Sequence, residues 1–139
     1  MRSRFYLWLR IYQLAAGLCD SATGVALVLI PTTTLKLMGI EAASEKLVWL
    51  SYIGAFVLAV GLSYLFPLME RGRTASGLAA WRMQWRISAL ARTLIAAFIV
   101  WKFSTGELPW QWLEVAATDG CFALIQWTGL WKSWLKDVE

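Results

Sequence analysis

The sequence predicts an all-α integral membrane protein: a bundle of four membrane-spanning helices with both termini on the cytoplasmic side. Three observations lead to this prediction: four long apolar runs, a composition poor in charge, and an uneven distribution of basic residues along the chain. The 139 residues are 59% hydrophobic and 16% charged, whereas a soluble domain carries about 25% charged residues. A chain of this length normally forms one domain, so we expect a single transmembrane domain over residues 1–139.

The first span is predicted at about residues 11–30, ending before Pro31. The N-terminus is similar to a secretory signal, but Arg10 and Asp20 interrupt its apolar region, so we expect the segment to be retained. Four residues at helical spacing share one face of this span. Small residues allow another helix to approach closely, and we therefore expect this face to point into the protein. It comprises Gln13, Gly17, Asp20 and Gly24.

A short helix lying in the membrane interface is predicted between the first two spans, over the sequence TTTLKLMG that follows Pro31. The threonines are suitable N-caps and Gly39 is a suitable C-terminal residue. Ser44 is predicted to cap the second span, which covers about residues 47–68 and ends near Pro67. Gly54 and Gly61 are seven residues apart and so lie on one face of that span.

The third span is predicted at about residues 87–103, within a helix that starts near Ser76. Arg82 and Arg86 precede the span, and their long side chains can extend to lipid phosphates. Arg92 lies about 9 Å deeper than Arg86 at 1.5 Å per residue. The turn STGELP then leads to the fourth span, at about residues 110–131, which has tryptophans at both ends and Asp119 near its middle.

Basic residues between the spans predict the orientation. The side that holds the termini carries nine of them, against three on the opposite side, and an excess of Lys and Arg marks the cytoplasmic face. The nine are Arg2, Arg4, Arg10, Arg71, Arg73, Arg82, Arg86, Lys132 and Lys136, and the three are Lys36, Lys46 and Lys102.

Antiparallel threading of the four spans places Asp20, Arg92 and Asp119 near the membrane midplane. Each would cost about 2.5–3.5 kcal/mol at a helix centre, so such residues are expected to pair or to face water. We expect one aspartate to pair with Arg92 and the other to stay protonated. Gln13 precedes Asp20 by seven residues and Gln126 follows Asp119 by seven, which predicts a polar seam between the first and fourth spans.

This seam has two interpretations. It is either a structural network that fixes helix register, or the polar floor of an apolar cavity that holds a quinone or another lipophile or passes a proton. Trp127, Tyr52 and Tyr64 are the candidates for lining such a cavity. The other tryptophans are predicted to form belts at the membrane interfaces. They are Trp8, Trp49, Trp81, Trp85, Trp101, Trp110, Trp112, Trp131 and Trp134.

Several kinds of chemistry are excluded by residue content. The chain has no histidine, which rules out His-ligated haem, histidine zinc sites and histidine acid–base chemistry within it. Cys19 and Cys121 are too far apart in sequence for a CxxC redox pair. The basic residues are dispersed between apolar runs rather than gathered in one patch, so nucleic acid is not an expected partner.

Segments along nearly the whole chain resemble those of the DoxX-like group of small four-helix bacterial membrane proteins. They are GLCDSATG at Gly17–Gly24, Pro31 with LMGI ending at Ile40, GAFVLAVGLSYL at Gly54–Leu65, Arg92, and TDGCFALIQ at Thr118–Gln126. The resemblance implies a four-helix bundle in the bacterial inner membrane and, as in some relatives, association with quinone-linked or redox membrane complexes. It supplies no catalytic residue.

Three functional hypotheses follow from the sequence. The first is a non-catalytic subunit or scaffold of a membrane complex, with the bilayer and other subunits, or further copies of itself, as partners. The second is a binder of a small lipophile such as a quinone at Asp20, Arg92 and Asp119. The third is an oligomeric proton-coupled transporter. Catalysis by this chain alone is the least expected.

Overall fold

The structure, a computed structural model, describes residues 2–40, 47–69 and 75–135, with backbone alone for residues 2–5, 75 and 76. The chain divides into two compact units, Met1–Gly72 and Arg73–Glu139. Every regular element in the described part is helical, as predicted. The first unit contains α1 (Arg2–Leu29), α2 (Pro31–Leu37), α3 (Leu47–Ser63) and α4 (Phe66–Met69), and the second contains α5 (Ala75–Ser104) and α6 (Trp112–Trp131).

Pro31 separates α1 from α2. The residue before a proline is disfavoured in the helical region, and Ile30 has φ −137° and ψ 53°. Pro31 occupies the first turn of α2, where its missing N–H is not needed. The prediction that threonine caps this helix is wrong: Ile30 is the N-cap residue, and the Thr34 hydroxyl donates back to the Ile30 carbonyl at 3.0 Å.

Gly39 follows the C-cap residue of α2 and terminates the helix, as predicted. Its φ is +69°, a conformation that glycine adopts without steric cost. The Ile40 amide donates to the Leu35 carbonyl at 2.9 Å, a bond typical of a glycine-terminated helix. Leu35 and Ile40 are both buried. The predicted cap Ser44, and Lys46, Glu70, Arg71 and Arg73 in the loops, lie outside the described residues.

Glycines bring α1 and α3 into close antiparallel contact. A Cβ added at Gly17 would lie 3.0 Å from the Gly61 carbonyl oxygen, and one at Gly24 would lie 2.7 Å from the Cα of Leu58. One at Gly54 would lie 2.7 Å from the Leu27 Cβ. The two glycine faces predicted from the sequence therefore meet each other, as is typical of helices packing within a membrane.

The second span, predicted at about residues 47–68, corresponds to the candidate membrane span Leu47–Met69, in which a turn separates α3 from α4. The amide of Leu65 bonds to Leu62 and that of Leu68 bonds to Leu65, so the backbone tightens between α3 and α4. Pro67 has no N–H to donate to Ser63. The carbonyl of Tyr64, which Leu68 would reach in a regular helix, instead accepts a hydrogen bond from the Gln13 side-chain amide at 3.1 Å.

A tight turn joins α5 to α6, where the sequence STGELP predicts one. Gly106 has φ +75°. Lys102 donates to both Glu107 carboxylate oxygens at 2.8 Å and lies 4.5 Å from the centre of the Trp101 ring. The Lys102 hydrogen bond, followed by one from Thr105, lowers the pKa of Glu107 from its ordinary value. This contact is therefore present at neutral pH and is lost as the pH falls through that lowered pKa.

The chain folds back on itself after α6. Ser133 has φ +54°, and the Trp134 amide donates to the Gly129 carbonyl at 2.9 Å. A Cβ added at Gly129 would overlap the Trp85 ring and lie 2.7 Å from that of Trp134. Trp81 and Trp85 are 2% and 0% exposed. Their assignment to an interfacial belt is wrong, because both side chains are buried within the protein.

Within the described ranges, three helical segments are long and apolar enough to cross a membrane. They are Tyr6–Leu29, Leu47–Met69 and Gly77–Ser104. Large apolar side chains on their outer faces are exposed, among them Leu18, Phe56 and Leu94, which suits a lipid environment. α6 is not one of the three. Its 20 residues include Glu114, Asp119 and Gln126, and these lower its hydropathy.

The glycine contacts predict a selective loss of stability. Gly24→Ala should destabilise the fold by about 1–3 kcal/mol, because its methyl group would enter space held by the Leu58 backbone. Gly120→Ala is the matched control, since a Cβ there has nothing within 4 Å, and it should be neutral or slightly stabilising. Denaturant unfolding in detergent measures both. Equal effects would contradict the close approach of α1 and α3.

Candidate functional site

The five predicted seam residues divide between the two units. Gln13 and Asp20 lie on α1, whereas Arg92 lies on α5 and Asp119 and Gln126 lie on α6. The seam as a whole, with Asp20 beside Asp119 and Gln13 beside Gln126, stays a prediction. Within the second unit, the predicted partnership of Arg92 with an aspartate is confirmed.

Arg92 and Asp119 form an ion pair through a guanidinium N–H and the carboxylate Oδ1. The two side chains are 5% and 14% exposed. The Arg92 guanidinium also lies 4.6 Å from the centre of the Phe122 ring, within range of a cation–π interaction. Phe122 follows Asp119 by three residues, so the carboxylate and the ring are presented to Arg92 from one face of α6.

A second polar link joins the same two helices. The Trp127 indole N–H donates to the Thr93 hydroxyl at 3.1 Å, and that hydroxyl donates to the Ala89 carbonyl at 2.7 Å. At the far end of the hairpin, Arg82 donates to the Leu135 carbonyl at 3.2 Å. Two polar contacts therefore link α5 directly to α6, and a third links α5 to the segment that follows α6.

The remaining site residues occupy different environments. Gln126 is fully buried, and so is Gln13, which bonds to Tyr64. Asp20 is half-buried, and its backbone carbonyl carbon would lie 2.9 Å from a Cβ added at Gly61. Of the three predicted cavity-lining residues, Tyr64 is fully buried, whereas Trp127 and Tyr52 are 42% and 58% exposed.

The sequence analysis did not identify three groups that contact the predicted site residues. Phe122 and Thr93 are ordinary membrane-helix residues, and only their spacing from Asp119 and Arg92 marks them. The Tyr64 carbonyl is a backbone group, and its availability to Gln13 depends on the helix break before Pro67.

Tyr52 belongs to an exposed row of edge-to-face rings, 6.4 Å from Trp49 and 4.9 Å from Phe56.

The arrangement is better suited to holding helices together than to chemistry. The charge of Arg92 is matched by Asp119 and shielded by Phe122, which leaves little of either charged group accessible to a ligand. Among the residues that the structure describes, no group of three or more His, Cys, Asp or Glu side chains is arranged to hold a metal ion.

Comparisons with protein-family models, with curated proteins and with solved structures found no match. The resemblance to the DoxX-like group therefore stays a hypothesis that depends on the sequence segments quoted above.

The ion pair predicts an asymmetry between single and double variants. Asp119→Asn should destabilise the protein by about 3–5 kcal/mol, because it leaves the buried Arg92 charge uncompensated. Arg92→Met combined with Asp119→Leu should recover most of that loss, since neither charge then remains buried. The free energy of unfolding in detergent measures both effects. A double variant as unstable as the single one would contradict a purely structural role.

Proposed function

We propose that this chain is a non-catalytic subunit or scaffold of a membrane complex, built as a four-helix bundle. The observation that carries the proposal is the internally matched pair of Arg92 and Asp119. An ionisable residue inside a membrane protein is a candidate for binding or proton transfer. Here each charged group has its counter-charge on the neighbouring helix, which favours the stabilising role over the reactive one.

The outer faces of the helices support the same proposal. α5 exposes a row of apolar side chains at spacings of three and four residues: Met83, Ile87, Leu90, Leu94, Phe98 and Trp101. Such a row provides a surface for lipid or for a helix of another subunit.

In the proposed topology α6 is the fourth span, and both termini are cytoplasmic. Its 20 residues span about 30 Å at 1.5 Å per residue, which matches the hydrocarbon core. Its low hydropathy results partly from Asp119 and Gln126, one paired with Arg92 and the other fully buried. The proposed host, a bacterial inner membrane, is inferred from the family resemblance.

Reporter fusions test the topology. Green fluorescent protein fused after Glu139 should fluoresce and alkaline phosphatase at the same position should be inactive, because four spans return the chain to the cytoplasm. The same reporters placed after Gly106 should give the opposite result. If α6 does not cross the membrane, the C-terminal phosphatase fusion will be active, and the four-span topology is then wrong.

Photo-crosslinking in native membranes tests the subunit role. A photoreactive residue at Leu94 or Phe56, which are 61% and 58% exposed, should give discrete protein adducts because these faces are available to partner helices. The control is Ala89, which is 0% exposed and should give none. Lipid adducts alone at both exposed positions would contradict the subunit role and would favour an isolated lipophile binder.

A further inference from the structure

One basic side chain of α5 has no partner among the residues that the structure describes. α5 carries four basic residues and no acidic ones. Arg82 bonds to the Leu135 carbonyl, Arg92 to Asp119 and Lys102 to Glu107. Arg86 is exposed, and it has no hydrogen bond or ion pair with any residue that the structure describes. An exposed arginine on an apolar helix with no such partner is available to an external anion.

We propose that Arg86 binds the phosphate of an anionic phospholipid, whose acyl chain lies along the adjoining flank of the α5–α6 hairpin. This proposal depends on the proposed membrane topology and names a ligand class for one of its surfaces. Depth supports it. Arg86 precedes Lys102 by 16 residues, about 24 Å along the helix. If Lys102 marks one edge of a hydrocarbon core about 30 Å thick, Arg86 lies about 6 Å inside the other edge.

An arginine at that depth can extend its guanidinium to the headgroup layer while its aliphatic part stays among acyl chains. Arg86 then differs from Arg92, which lies one and a half turns deeper and requires a counter-charge from the protein. The planar N–H donors of the Arg86 guanidinium also suit phosphate oxygens, which a guanidinium can bind through two parallel hydrogen bonds. Anionic lipid is therefore a better match than a zwitterionic headgroup, which carries its own cation.

The flank beneath Arg86 offers a surface for the acyl chain. Leu90 and Thr93 follow Arg86 by four and seven residues, so the three side chains share one face of α5. Leu90 is 54% exposed. Trp127 extends this face onto α6, because its indole is bonded to the Thr93 hydroxyl and its side chain remains 42% exposed. The bond satisfies the polar groups of both residues and leaves an apolar ring facing outwards.

Titration of phosphatidylglycerol into the full-length protein in a mild nonionic detergent, followed by native mass spectrometry, tests the site. Arg86→Gln should weaken the first phosphatidylglycerol bound by about fivefold, the effect expected of one basic residue near the headgroups. Phosphatidylcholine binding should be nearly unchanged. The matched control is Lys132→Gln, which removes the same charge from an exposed residue at the same end of the hairpin and should change the affinity less than twofold.

An unchanged affinity in Arg86→Gln would overturn the proposal. So would equal losses in both variants, since these would indicate attraction to the general positive charge of this end. Alkaline carbonate treatment of membranes separates this failure from that of the proposed function. A protein that resists extraction but shows no selective loss refutes the lipid site alone. A protein that is extracted is not integral to the membrane, which refutes both proposals.

Discussion

The second unit depends on one constraint: a charged arginine within an apolar helix must be neutralised by the protein itself. Arg92 lies 17 residues along the 30-residue helix α5, too far from either end for its guanidinium to reach water with ease. Asp119 supplies the opposite charge and Phe122 a polarisable ring. Because both come from α6, the electrostatic requirement of one helix fixes its alignment with the other. The ion pair also explains how α6 accommodates the acidic residue Asp119 among apolar side chains.

The first unit solves its packing differently. α1 and α3 are held by close contact of small residues. Gly24 and Gly54 bring the two backbones together, and the Ser51 hydroxyl donates to the Leu27 carbonyl at 3.2 Å. In a lipid environment the hydrophobic effect does not drive one helix against another. Dispersion contacts and hydrogen bonds between the helices therefore determine how they associate. The two hairpins thus illustrate two ways of specifying helix register in an apolar chain.

How much of the fold and of the candidate site could be predicted depends on whether an interaction lies within one helix or joins distant parts of the chain. Spacing along one helix indicated the glycine faces of α1 and α3, because a face is a local property. Charge balance indicated a partner for Arg92, because few acids were available. The break between Ser63 and Phe66 was missed, since Pro67 alone does not reveal which carbonyl is released or that Gln13 reaches it. Trp85 was assigned to the interface because its burial against Gly129 depends on the packing of α5 against α6, which spacing along one helix does not reveal.

The same distinction separates structural cations from available ones. All four basic residues of α5 look alike in the sequence, and each could be assigned to topology or to lipid contact. Their partners distinguish them: a backbone carbonyl for Arg82, a carboxylate for Arg92 and a turn glutamate for Lys102. Arg86 lies at a depth from which its side chain reaches the headgroups, where lipid phosphate supplies the anion that the protein supplies deeper in the membrane. In the proposed topology, depth thus separates Arg92, whose counter-charge comes from the protein, from Arg86, whose proposed counter-charge comes from lipid.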